Sequence, residues 1–148
     1  MADFAFVTAR LATGAAIQSP QDVQALIAAG VTHIVDCQLE FDDTAEFVAS
    51  GAVVLWNGVA DDGNPATHGA DWFNKSLTFA LPALTQPHTK VYAHCAAGVN
   101  RGPSTAFAIL LALGFTAESA EAAIRAVRPQ VGLAYKAEAI AAVPALGY

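Results

Sequence analysis

Basic residues are scarce in this chain: three lysines and four arginines stand against 13 acidic side chains, for a net charge of -6 at pH 7. A surface of that sign repels nucleic acid and anionic membranes at long range, so neither is expected as a partner. No apolar run reaches the roughly 18 residues that a membrane-spanning helix needs. Met1-Ala2-Asp3-Phe4 lacks the basic region and apolar stretch of a secretory signal, so a cytoplasmic protein is expected. Cysteine is limited to Cys37 and Cys95, a poor disulfide framework and a fair sign of thiol chemistry. His33, His68 and His88 have no metal-like spacing with cysteine or acidic partners, so no metal and no cofactor are assigned. Repeats, low-complexity tracts and linkers are absent too. The 148 residues therefore read as one domain, 1–148, and as a monomer.

Apolar residues, many of them alanine, make up 55% of the chain and charged ones only 14%, which excludes a disordered polymer. Phe4 to Ala12 reads as one or two short strands before Gly14. Ser19-Pro20-Gln21-Asp22 opens a helix: Ser19 as cap, Pro20 at the first helical position, Asp22 at the positive end. That helix stops at Gly30. Val31 to Cys37 and Val53 to Trp56 read as buried strands, with a short helix over Thr44 to Ala49 between them. Asn57 to Gly69 reads as a loop. Further helices are expected over Asp71 to Leu84, Ser104 to Leu113, Thr116 to about Arg128, and Tyr135 to Ala142. Lys90 to His94 reads as a strand. Strands alternating with helices imply an α/β fold, a central, mostly parallel sheet flanked by helices. Ligands in such sheets bind beyond the carboxyl ends of the strands.

The segment beyond the Lys90–His94 strand reads Cys95-Ala96-Ala97-Gly98-Val99-Asn100-Arg101. A loop of this length between a strand end and a helix start can turn successive N–H groups inward, making a nest for a tetrahedral anion. The helix behind adds partial positive charge, which favours a thiolate at Cys95. Gly98 permits a positive-φ turn close to the anion, and the planar fork of Arg101 suits two phosphate oxygens. Phosphoryl transfer also needs a proton for the departing oxygen. The loop over residues 57–69 supplies Asp61 and Asp62.

His-Cys-x5-Arg, here His94 to Arg101, resembles the signature of the protein tyrosine phosphatase superfamily. The chain is similar to the compact dual-specificity phosphatases over nearly its whole length. Arg10-Leu-Ala-Thr-Gly14 resembles their opening strand, Leu26 to Asp36 their following helix and strand, and Glu121 to Pro129 the helix after the loop. The resemblance implies a dual-specificity phosphatase-like fold and hydrolysis through a cysteinyl-phosphate. Cys95 would be the nucleophile, Arg101 the phosphate clamp, and Ala96, Ala97, Gly98, Val99 and Asn100 the rest of the cradle. His94 would support the loop, and Arg125 and Arg128 are candidates to brace it. Asp61-Asp62-Gly63-Asn64-Pro65 resembles the family's acid loop, with Asp61 as general acid and Asp62 as rival. The substrate would be a phosphorylated protein or a small phosphate ester. Cys37 resembles, one place early, a strand cysteine that in some relatives protects the nucleophile as a redox partner. Of the two readings, the core thiol is the favoured one.

One position departs from the pattern. The family usually carries Ser or Thr after the arginine, and this chain has Gly102. The resemblance then implies slowed breakdown of the phosphoenzyme, with Ser104 as a possible stand-in and Gly102→Ser expected to raise turnover. Two other readings compete: a phosphatase-like module that only binds phosphorylated partners, and a rhodanese-like sulfurtransferase using a similar Cys–Arg loop.

Overall fold

Five strands carry the fold: β1 (Phe4–Thr8), β2 (Leu11–Gly14), β3 (His33–Gln38), β4 (Val53–Val59) and β5 (Val91–His94), in a computed structural model that describes residues 1–148. Their spatial order is β1-β2-β5-β3-β4. β1 runs antiparallel to β2, and every other pairing is parallel. Successive strand residues face opposite sides of a sheet, and the sequence uses this to build two cores. Leu11, Val35, Val91 and Ala93 enter a core of 25 residues on one face, while Ala12, Ile34 and Tyr92 enter a core of six on the other.

The smaller core is closed by α1 (Pro20–Ala28) and α2 (Thr44–Phe47), through Leu26 and Phe47. The larger is covered by α3 (Ala70–Leu84), α4 (Arg101–Ala112), α5 (Ala117–Val127) and α6 (Lys136–Ala145). α4 is buried along its first ten positions, as expected of a helix apolar all round. Its fully buried Phe107, Ile109 and Leu110 each contribute ~1.5–3 kcal/mol of apolar transfer energy.

This is the α/β architecture expected from the sequence, with some ends moved. α4 begins at Arg101 rather than Ser104; N–H groups of a first helical turn have no partner inside the helix, so Pro103 fits there. β4 continues past Trp56 to Val59, and a 3-10 turn at Pro65–Thr67 interrupts the loop that follows. Ser19 makes no side-chain cap bond. Instead the Asp22 carboxylate accepts from the N–H of Gln18 at 2.7 Å. Thr116 does cap α5, accepting from the N–H of Ser119 at 3.0 Å.

Gly14 and Asp36 both pair with His94. The segments after β2, β5 and β3 therefore leave the sheet at one edge, and parallel β4 delivers residues 60–69 to the same edge. No helix is long and apolar enough to cross a membrane.

Candidate active site

The loop after β5 is shaped by where its carbonyls go. The Ala96 carbonyl accepts from the N–H of Ala16 at 3.0 Å, and that of Val99 from Gly132 and Leu133 at 2.9 and 3.2 Å. Arg128 reaches in from the end of α5, its Nε donating to the Gly98 carbonyl at 2.7 Å and its Nη2 to that of Ala97 at 3.1 Å. Asn100 gives its carbonyl to Ser104 at 2.8 Å. Every carbonyl from Ala96 to Asn100 is thus bonded, whereas none of the N–H groups of Ala96 to Asn100 donates to a protein acceptor. A row of free N–H groups at the amino end of a 12-residue helix has the geometry to hold an anion.

Gly98 is needed for this turn. Its φ is +69°, and a Cβ there would strike the Arg128 guanidinium and come 2.5 Å from the carbonyl carbon of Gly14. Arg128 is itself held by Asp3, with bonds of 2.7 and 3.0 Å. Arg125 takes no part; it pairs with Glu121 at 2.7 Å and donates to the Val131 carbonyl at 2.8 Å.

Arg101 is 5% exposed. Its Nη1 and Nη2 donate to the two oxygens of Glu40 at 2.7 and 2.9 Å, and Nη1 also donates to the Val59 carbonyl at 2.9 Å. Its Nε has no partner. A guanidinium has five N–H donors, so Nε–H and the second Nη2–H remain, side by side along one edge. Glu40 holds the end of the fork and leaves the flank for a ligand. Arg101 in turn holds the Glu40 carboxyl down at about 2, against a modest opposing effect of burial.

Behind Cys95 lies a buried acid–histidine cluster. The His94 ring faces the Cys95 carbonyl with Nδ1 at 3.2 Å and Asp43 Oδ2 with Nε2 at 2.7 Å. Both nitrogens face acceptors, the pattern of an imidazolium. Burial opposes that charge, but the hydrogen bond and charge of Asp43, joined by Asp36 3.9 Å away, raise the His94 pKa above its ordinary value. Burial in turn pushes Asp36 up to about 7, with His94 opposing and Asp43 adding to the rise. Asp36 accepts from the N–H groups of Gln38 and Asp43 at 2.9 and 3.0 Å. It thereby folds the segment that carries Glu40.

Asp61 and Asp62 part company. Asp61 turns to the cradle: Oδ2 accepts from Asn100 Nδ2 at 3.3 Å and Oδ1 from the Tyr135 hydroxyl at 2.6 Å. Asp62 stays within its own turn, accepting from the N–H of Asn64 at 2.9 Å and the Thr67 hydroxyl at 3.2 Å. The first of these bonds pulls its carboxyl below the ordinary range.

Two expectations change, at Ser104 and at Gly102. The Ser104 hydroxyl accepts from the N–H of Tyr135 at 3.3 Å, so it supports Tyr135. Gly102 has no room for a side chain, because a Cβ there would lie 2.7 Å from both the Cα and carbonyl carbon of His94. Cys37 is fully buried, its Sγ 3.4 Å from the Thr105 hydroxyl, and burial pushes its thiol far up. It lies one residue past the last paired row of β3 and β5, as Cys95 does. Glu40, Asp43 and Tyr135 had gone unnoticed. The only signal for the first two was an acidic run after a strand whose carboxyl end borders the site.

Comparison with known proteins agrees with this geometry. The family model of the Swiss Army Knife protein DSP-PTPase phosphatase domain, PTP-SAK, matches residues 5–143. Dual specificity protein phosphatase 13B of Homo sapiens is 30% identical over 94 residues, 62% of this chain; the match spans 47% of that protein. Among solved structures, PTPMT1 superposes with a TM-score of 0.78 at 19% identity, covering 97% of each chain. PTPMT1 in complex with PI(5)P gives 0.77 at 18%, over 98% of this chain and 99% of that one. Tk-PTP in its active form gives 0.76 at 19%, over 93% of each. At such identities the structures speak for the fold alone. The family match runs from the edge strand into α6 and takes in the whole anion nest, and the chain belongs to the PTP-SAK family of DSP-PTPase phosphatase domains.

Proposed function

We propose that the chain is a phosphomonoesterase working through a cysteinyl-phosphate. The observation that carries this reading is the loop whose bonded carbonyls leave the N–H groups of residues 96–100 free beside the unpaired flank of Arg101. Those donors suit the three equatorial oxygens of a phosphoryl group in transfer. Cys95 Sγ attacks phosphorus, the bond to the ester oxygen breaks, and Asp61 gives that oxygen its proton. Water then attacks phosphorus and yields its proton to Asp61. The S–P bond breaks, phosphate departs, and the thiolate returns. Asp61 suits the acid's part because its carboxylate borders Asn100 of the cradle, whereas that of Asp62 is spent locally.

The substrate in this reading is a phosphorylated protein side chain or a small phosphate ester, met by a monomer in the cytoplasm. A PTPMT1 structure holds PI(5)P. The loop here carries no lysine between Cys95 and Arg101, and the chain has a net charge of -6, so a polyanionic head group fits poorly. A second reading, a module that binds phosphorylated partners without turning them over, draws on Gly102 and the lack of a hydroxyl there.

Hydrolysis of p-nitrophenyl phosphate separates the two. Turnover by the wild type, abolished in Cys95→Ser, supports the enzyme. Phosphopeptide binding with no turnover supports the module. A screen of phosphopeptides, sugar phosphates and nucleotides would then name the substrate.

A further inference from the structure

Tyr135 is 1% exposed, and its phenol oxygen serves two points on the acid loop. It donates to Asp61 Oδ1 at 2.6 Å and accepts from the N–H of Gly63 at 3.0 Å. Its ring lies flat on that of His68 at the other end of the loop, with centroids 3.4 Å apart and planes 6° from parallel. His68 is fully buried, its Nδ1 is 2.9 Å from the Asn64 carbonyl, and Trp72 meets it edge-on at 5.1 Å. One side chain therefore fixes both ends of the segment from Asp61 to His68.

Tyr135 is in turn fixed to the cradle. Gly132 and Leu133 donate to the Val99 carbonyl, and Ala134 donates to Asn100 Oδ1 at 3.1 Å. The N–H of Tyr135 itself reaches Ser104, in the first turn of α4. The chain bends into this path at Leu133, whose φ is +50°. A branched residue pays strain in that region and keeps it only where its surroundings over-determine the conformation.

We propose that Tyr135 is the positioning residue of the general acid: it sets the distance from Asp61 to the phosphate cradle and directs the catalytic proton to Oδ2. This rests on Asp61 being the acid. Oδ1 accepts the phenol proton at 2.6 Å, whereas Oδ2 accepts only the longer 3.3 Å bond from Asn100 Nδ2, so a proton carried by Asp61 belongs on Oδ2. Burial, with Asp61 adding to it, pushes the phenol up to about 12, so the hydroxyl remains a donor at every working pH.

The test is Tyr135→Phe in the full chain, which keeps the ring and its stack and removes the oxygen. For an alkyl phosphate or phenyl phosphate, kcat/KM should fall about 10- to 100-fold, a part of what a general acid supplies. For 2,4-dinitrophenyl phosphate, whose leaving group needs no proton, it should change less than about threefold. Inhibition by inorganic phosphate should stay as in the wild type. Added to Asp61→Asn, the substitution should cost nothing further, since both remove one function. Equal losses for all leaving groups, weakened phosphate inhibition, or full additivity with Asp61→Asn would overturn the proposal. Should Tyr135→Phe fail to fold, Ser104→Ala, which frees the Tyr135 backbone, must show the same selectivity in weaker form. If Asp61→Asn itself lacks that selectivity while Cys95→Ser is dead, the assignment of the acid is at fault.

Discussion

Glu40 closes on Arg101 from a different loop, both carboxylate oxygens meeting both terminal nitrogens at 2.7 and 2.9 Å. The two partners live in different surroundings: the arginine side chain is 6% exposed and the glutamate 52%. An ion pair with one partner in water adds little to stability. Its consequence lies in geometry, because a planar guanidinium gripped end-on presents its flank in one fixed direction.

Glu40→Gln should therefore leave the melting temperature nearly unchanged and weaken competitive inhibition by inorganic phosphate about 3- to 10-fold. Because Glu40 titrates at about 2 in the folded chain, against an ordinary 4.5, its contribution is complete above pH 4.5 and is lost only as pH falls through about 2. It cannot set the acid limb of activity near neutrality. A marked loss of stability with unaltered phosphate inhibition would contradict this account.

Asp36 is raised to about 7 and His94 above its usual value. Both bind their protons more tightly folded than unfolded, so their stabilisation is complete at low pH and is lost as pH rises. For Asp36 that loss spans pH ~4 to about 7; for His94 it begins near 6.5 and ends above its folded value. Thermal melts of the wild type should show stability falling between pH 5 and 8, and Asp36→Asn should flatten the slope. An equal slope in both proteins would rule Asp36 out as its source.

At Gly102 space decides against the sequence expectation. A serine Cβ would collide with the backbone of His94 and lie 2.9 Å from the Cys95 nitrogen. Gly102→Ser should destabilise by ~1–3 kcal/mol, as overpacking does, and should lower turnover. A gain in steady-state rate with an unchanged melt would show that the loop yields there.

Cys37 and Cys95 follow the paired residues Asp36 and His94, and adjacent strands lie ~4.8 Å apart, within the span of a disulfide. We propose that peroxide links them through a sulfenic acid on Cys95. The burial that raises the Cys37 thiol makes this step slow. Peroxide-treated wild type should recover activity on addition of dithiothreitol, and Cys37→Ser should not. Equal recovery in both would leave Cys37 as packing against Thr105.

The order of elements and the loop after β5 were legible because each rests on local sequence: the buried apolar run of β3, Gly98 at its turn, Cys95 and Arg101 at fixed spacing. The five-residue pattern at Asp61 marked the loop whose first aspartate turns toward Asn100. What the sequence hid is contact between distant segments. Glu40 meets Arg101 across 61 positions, Asp43 meets His94 across 51, and Tyr135 meets Asp61 across 74. Nothing in the local pattern at Tyr135 separates a helix start from a clamp. Gly102 misled because a missing hydroxyl reads as a loss, whereas the close passage of α4 beneath β5 leaves no place for one.

The outward carbonyls of the cradle are tied to Ala16, Arg128, Gly132 and Leu133, and Arg128 is tied to Asp3. Stretches near both ends of the chain thus contribute to one seven-residue loop. No excised fragment around Cys95 would retain its shape, since the loop's curvature is borrowed from the rest of the fold. In the proposed reading, anion binding and folding are one cooperative equilibrium: phosphate binding only to the assembled loop would deepen the native basin, and damage at Asp3 would be felt at Cys95.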